Sequence, residues 1–217
     1  MYTGVTFMII NLSNKNKYFS QRDNFLRPSG TCGPTSAANA IHICNIDIPE
    51  YNRHPEKQLE DIITATLQTE EARKYMLSKY PAASFNPWNV SDCIVWAVNK
   101  LAGKKVAECN RLSEHEMFYT LLKNEGVIVV GTSLTPSRHF VTLVGFCTEQ
   151  SDIESVTGPI DIDTNFISKI IIDDSWGNVM TDYKDRNGYN VFIPYTVFVK
   201  HILEYSKKKM CQKYFMQ

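Results

Sequence analysis

The hydrophobic period of this chain changes once, near Gly126, and that change restricts the fold more than any other feature. Before it, apolar residues recur three and four apart: Ala37, Ala38, Ala40, Ile41 and Cys44; Leu59, Ile62, Ile63 and Leu67; Val90, Cys93, Ile94, Ala97, Val98 and Leu101. Each set makes one buried stripe on a helix. After it, the apolar residues come in short runs at Val127–Val130, His139–Phe146, Lys169–Asp173 and Tyr189–Ile193, which read as strands. Helices first and strands second predict an α+β domain, with N-terminal helices packed on one side of an antiparallel β-sheet.

Local punctuation places the elements. Pro34 fits the first position of a helix, and Tyr51–Pro55 reads as loop. Helices are expected over Glu56–Leu67, Thr69–Tyr80, ended by Pro81, and Val90–Leu101, stopped by Gly103. Ser113-Glu114-His115-Glu116 is a capping box for a helix reaching about Lys123, and Gly126 closes it. Val5–Ile10 reads as a first strand or packed arm, Asn14–Lys17 as loop and Phe19–Thr31 as irregular chain. The acidic, polar stretch from Glu149 to about Phe166 reads as a long loop or hairpin insertion.

At 217 residues the chain is long enough for one domain over 1–217, with its core at about 18–204. Its 23 basic and 23 acidic residues cancel, which argues against nucleic acid as a partner. The run Ser206-Lys207-Lys208-Lys209 reads as a solvated helix end. No apolar run approaches the ~18–20 residues of a membrane span, and none has the flanks of a signal peptide. Six cysteines, at 32, 44, 93, 109, 147 and 211, contain no Cys-x-x-Cys pair. Neither a disulfide scaffold nor a zinc site is indicated, and a reduced, cytoplasmic setting is expected. Asp161, Asp163, Asp173 and Asp174 lack the spacing of a calcium loop. No metal and no cofactor is expected.

One constellation carries chemistry. Cys32 stands at a helix start, where the helix dipole favours a thiolate, and Gly33 removes bulk beside it. His139 opens an apolar strand and is placed to act as a base. Asp173 and Asp174 end another strand, and one of them can orient an imidazole; side chains alternate along a strand, so both cannot face the same site if the strand continues through them. Trp176 can shield such a bond from water. Gln21, eleven residues before Cys32, can offer an amide donor. Taken singly, these are a turn cysteine, a strand-end histidine, a polar turn with a core tryptophan, and an ordinary glutamine.

Taken in order, they resemble the papain-like cysteine peptidases: Gln, then Cys-Gly at a helix start, then His at a strand start, then Asp or Asn before Ser-Trp-Gly. The pieces Tyr18-Phe-Ser-Gln-Arg-Asp-Asn24, Thr31-Cys-Gly-Pro-Thr-Ser36, His139-Phe-Val-Thr-Leu-Val-Gly145 and Asp174-Ser-Trp-Gly177 resemble the bacterial and phage branch that includes the double-glycine (bacteriocin) leader peptidases. The likeness spans about Tyr18 to Ile193. It implies Cys32 as nucleophile, His139 as base, Asp174 as its orienter and Gln21 as oxyanion donor, with Trp176 and Asp173 in support. It implies a thiol hydrolase cleaving a peptide or isopeptide bond in a peptide or protein substrate. Glutamine deamidation and acyl or amide transfer use the same acyl-enzyme and stay open, as does a non-catalytic binding module on the same fold. The chain departs from the leader peptidases in several places. It shows no transporter segment and no Walker-type glycine loop, it has Thr35-Ser36 where papain relatives often place an aromatic, and it carries the 149–166 insertion. Sequence does not give the oligomeric state.

Overall fold

The structure, a computed structural model, describes residues 7–13, 18–82, 84, 86–206 and 212–216. The basic run Lys207–Lys209, Cys211, the loop Asn14–Lys17 and the first part of the N-terminal arm lie outside the described residues.

Seven helices and seven strands are described: β1 (Met8–Asn11), α1 (Cys32–Ile43), α2 (Pro49–Arg53), α3 (Leu59–Leu67), α4 (Glu70–Lys79), α5 (Ser91–Ala102), β2 (Ala107–Asn110), α6 (Glu114–Leu122), β3 (Gly126–Thr132), β4 (His139–Thr148), β5 (Ile167–Asp173), β6 (Val191–Pro194), α7 (Tyr195–Ser206) and β7 (Gln212–Met216). The helix-then-strand order holds, and its local signals act as expected. Ser113 and Glu116 form the capping box of α6, and Gly103 ends α5 in the left-handed conformation at φ 68°.

Several boundaries differ from the expectation, each for a local reason. Helix α1 begins at Cys32, so Pro34 is its third residue; no N–H of the first turn has an intrahelical partner, and proline is tolerated throughout it. Pro49 starts the short helix α2 where loop was expected at Tyr51. Strands β2 and β7 were not anticipated at all. Gly126 opens β3 rather than closing α6.

The sheet is antiparallel throughout, in the order β2-β7-β3-β4-β5-β6. Strand β4 organises it. Its first half pairs with β3, from Thr132 opposite His139 to Ile128 opposite Leu143. Its second half pairs with β1, from Asn11 opposite Gly145 to Met8 opposite Thr148. Its other edge carries β5, with Thr142 opposite Asp173. Strands β1 and β7 therefore carry the sheet past both ends of the expected 18–204 core.

Every residue of β3 and β4 is buried. Only strands covered on both faces read this way, and the one-sided packing expected from element order is incomplete. Helices α6 and α7 pack on β3 in addition to α1. Within α1, every residue from Gly33 to Ile41 is buried. Its small side chains Ala37, Ala38 and Ala40 let α3, α5 and β4 close around it. The fit is tightest at Gly33, where a Cβ would lie 2.5 Å from Ile94 Cδ1 and 2.7 Å from the Trp88 carbonyl oxygen.

The polar insertion is a chain of three short 3-10 turns, at Ile153–Ser155, Pro159–Asp161 and Thr164–Phe166. It is pinned by Ile153, Val156 and Ile162, all buried in the common core. Burial of each such side chain is worth ~1.5–3 kcal/mol, so the segment is held as part of the domain.

Candidate active site

Cys32 is the first residue of α1 and is half-buried, whereas the next nine residues are buried. One turn later Ser36 ties the helix to β4. Its hydroxyl donates to the Phe140 carbonyl at 2.9 Å, and its own carbonyl accepts from the Thr142 hydroxyl at 2.9 Å. Both partners are fully buried, where bonds of this kind are strong and costly to lose. Because Phe140 follows His139, this pair of hydrogen bonds sets the helix start against the strand start.

His139 is brought to Asp174 by strand register. Thr142 lies opposite Asp173, so the chain leaving β5 runs beside the chain entering β4. His139 Nε2 meets Asp174 Oδ1 at 2.7 Å, with 4% of the histidine side chain and none of the aspartate side chain exposed. That leaves Nδ1 as the ring nitrogen available to the Cys32 thiol, which acts on the imidazole. Burial by itself would push the histidine pKa down. The Asp174 carboxylate, through its charge and its hydrogen bond, and then Cys32 overcome that and push it up.

Asp174 is held through Oδ1 and through its backbone, whereas its buried Oδ2 has no hydrogen-bond partner among the described residues. Its Oδ1 also accepts from the Trp176 N–H at 2.9 Å, its N–H donates to the Gly188 carbonyl at 2.8 Å, and its carbonyl accepts from the Tyr18 hydroxyl at 2.5 Å. Gly188 must be glycine for this approach, since a Cβ there would lie 1.8 Å from the Asp174 carbonyl oxygen. The Tyr183 hydroxyl is buried beside Asp174. Its ionisation is suppressed by burial and then by the carboxylate, although the two stop short of a formed hydrogen bond.

Asp173 points the other way. Its carboxylate accepts from the Ser13 hydroxyl at 2.8 and 2.9 Å and from the Asn190 N–H at 3.0 Å. Burial pushes its pKa up to about 6, against the pull of those donors. It fastens β5 to the chain after β1 and has no part in the His139 contact.

Gln21 lies in a 3-10 turn, Gln21–Asp23, and is buried. Its Oε1 accepts from the Ser175 hydroxyl at 2.8 Å, its N–H donates to the Ser175 carbonyl at 2.9 Å, and its Nε2 donates to the Pro28 carbonyl at 3.1 Å. Arg22 adds a bond from Nε to the Trp176 carbonyl at 2.5 Å and lies 4.1 Å over the Trp176 ring. Trp176, expected to shield the His139–Asp174 bond, contributes its backbone N–H to that same carboxylate. The Gln21 turn and the Asp174–Trp176 turn are thus stitched into one wall.

All six residues picked from sequence occupy this region, with Asp173 facing away. Sequence reasoning did not assign Arg22, Ser175 or Tyr183. Arg22 and Ser175 adjoin picked residues and were within reach of a neighbour argument, whereas Tyr183 carries no sequence signal.

No family model matches the sequence, and no curated protein matches it. A Bacillus anthracis protein provisionally named a C39-like peptidase has a similar crystal structure, with a TM-score of 0.56 at 12% identity. The match covers 97% of this chain and 98% of that one. The chain therefore has the fold of a C39-like peptidase, a papain-like arrangement of helices on an antiparallel sheet. Among the described residues no helix is long and apolar enough to cross a membrane.

Proposed function

We propose that the protein is a cysteine peptidase that cleaves a peptide or isopeptide bond through an acyl-enzyme. The observation that carries the reading is the buried 2.7 Å contact of His139 with Asp174, with the Cys32 thiol on the remaining side of the ring. A histidine held protonated beside a thiol at a helix start stabilises the thiolate.

In this reading Cys32 Sγ attacks the carbonyl carbon, and its proton already rests on His139. The oxyanion is met by the Cys32 N–H and by the Gln21 amide. Pro28 takes one of the two Nε2 hydrogens, and the second serves the oxyanion. His139 protonates the leaving amine, and the amine departs. Water, deprotonated by the neutral imidazole, then attacks the thioester, and the acid leaves with Cys32 restored. Asp174 fixes the ring and compensates its positive charge throughout.

The test is a limiting dose of iodoacetamide near pH 6, followed by peptide mapping, and incubation with a peptide library read by mass spectrometry. Alkylation concentrated on Cys32, with new peptide termini that vanish in Cys32→Ala, is the expected result. Even labelling across Cys44, Cys93 and Cys32 overturns the thiolate. A mass gain of about 1 Da at glutamine in place of cleavage redirects the chemistry to deamidation.

A further inference from the structure

The segment from Gln21 to Cys32 has a second face. On one side it builds part of the candidate active site, through Gln21, Pro28 and Cys32. On the other it closes a cavity of about 670 Å³ against α2 and α3. That volume falls within the ~300–1,000 Å³ of ordinary ligand pockets.

Asp61, in the first turn of α3, fixes the loop that walls this cavity. Its two carboxylate oxygens accept from the N–H groups of Phe25 and Leu26, at 3.0 and 2.8 Å. With the backbone clamped this way, half-buried Leu26 and buried Ile62 give the cavity an apolar lining. The Phe25 side chain, also part of the lining, stands 88% exposed. A single exposed ring needs no explanation. A ring exposed at an apolar cavity is a different case, because one entering side chain covers the ring and the lining together.

Charge selects the occupant. Asp23, Glu50, Glu56 and Asp61 line the cavity against one lysine, Lys57. Asp61 is committed to the two backbone N–H groups, which leaves Asp23, Glu50 and Glu56 to meet a ligand. Glu56 is held below the usual carboxylate range by its own backbone N–H first and then by His54, whose Nδ1 lies 3.3 Å from Glu56 Oε1. The whole chain carries no net charge, so this excess of carboxylates is local, and a concave site concentrates its field.

We propose that this cavity docks a segment of the substrate in which a large apolar side chain is flanked by lysine or arginine. That the segment belongs to a substrate rests on the peptidase reading; the cavity's preference for it does not. The apolar side chain enters against Leu26 and Ile62 and covers Phe25, and the flanking cations meet Glu50 and Glu56. Because the same segment ends at Cys32, a chain held there is tethered near the thiol, which raises its local concentration at the site.

The experiment uses the full chain carrying Cys32→Ala, which binds without turnover. The probes are fluorescein-labelled glycine-serine peptides with a central Arg-Leu-Arg, Glu-Leu-Glu or Arg-Ser-Arg, read by fluorescence anisotropy. Saturable binding of the Arg-Leu-Arg peptide is expected, about tenfold tighter than either other peptide and weakened by salt. Phe25→Ala is expected to weaken it about tenfold, as loss of an apolar anchor does. It keeps the N–H that Asp61 accepts, so the loop stays in place. Glu50→Gln combined with Glu56→Gln is expected to weaken it by about 2- to 30-fold, the worth of two exposed ion pairs. No saturable binding, equal affinity for the three peptides, or unchanged affinity in either variant overturns the proposal. Self-association of the chain that is lost in Phe25→Ala assigns the cavity to a second copy and equally overturns it. The two readings fail separately. Selective Arg-Leu-Arg binding with an unreactive wild-type Cys32 keeps the docking site and removes the peptidase. A reactive Cys32 that cuts peptides without this selectivity keeps the peptidase and removes the docking site.

Discussion

Replacing Asp174 by asparagine removes one negative charge from beside His139 and keeps an oxygen that can accept from Nε2. The contact is 2.7 Å and buried. Deleting one partner of such a pair outright costs about 3–5 kcal/mol. Asparagine keeps the hydrogen bond, so the loss is expected nearer ~1.5–3 kcal/mol, the range of a bond to a charged group. For a chain of this size that lowers Tm by about 3–12 °C. The sign follows from the histidine. Its folded pKa is raised by Asp174, so the pair's stabilisation is complete below the unfolded histidine value of about 6.5 and is lost as pH rises through the folded value. The Tm gap between wild type and Asp174→Asn should therefore be widest at pH 5–6 and close at alkaline pH. Without the carboxylate, burial pulls the imidazole pKa down. The alkaline limb of the activity profile must then move to lower pH, with partial activity kept. Asp173→Asn is the control. Its carboxyl is engaged with Ser13 and Asn190, and the limb should stay in place. Burial raises this carboxyl from the ordinary 3.8 to about 6, a penalty of at most ~3 kcal/mol at pH 7. Relative to wild type, Asp173→Asn is thus expected to gain stability as pH rises from about 4 to about 6 and to keep that gain above it. An unmoved limb in Asp174→Asn, or a Tm gap independent of pH, refutes the ion pair.

Gln21→Ala should lower turnover by ~10²–10³, the usual loss for an oxyanion donor. Sequence gave no reason to expect a folding penalty, but the buried bonds to Ser175 and Pro28 predict about 1–3 kcal/mol as well; an unchanged rate in a destabilised protein would leave Gln21 structural. Gly188→Ala drives a Cβ into the Asp174 carbonyl, and should both lower Tm and slow Cys32 alkylation. A wild-type melt and profile would show that the two segments yield freely there.

The sequence by itself determined what is settled within a few residues. The capping box at Ser113, the glycine stop at Gly103 and the apolar stripes of α1, α3 and α5 depend on neighbours one to four positions away, and the structure keeps them. Alternation predicted that Asp173 and Asp174 would face apart if a strand ran through both, but β5 ends at Asp173, so that rule does not reach Asp174. Which of them faces His139 was decided in three dimensions, by the register of β5 on β4 and by the close passage of Gly188 over Asp174. Strands β2 and β7 are four and five residues long and carry too little pattern to announce themselves; they exist because β7 pairs with β3 and β2 pairs with β7. Ile153, Val156 and Ile162 sit in a stretch that reads as polar, and Glu60 reads as an ordinary acidic residue in a first helical turn. Their burial comes from elements far along the chain. The Gln21–Ser175 and His139–Asp174 contacts join residues 154 and 35 positions apart. Local sequence fixes which backbone bonds form early and cheaply, whereas contacts of that span depend on how whole elements pack, because only packing offsets the entropy of closing such long loops.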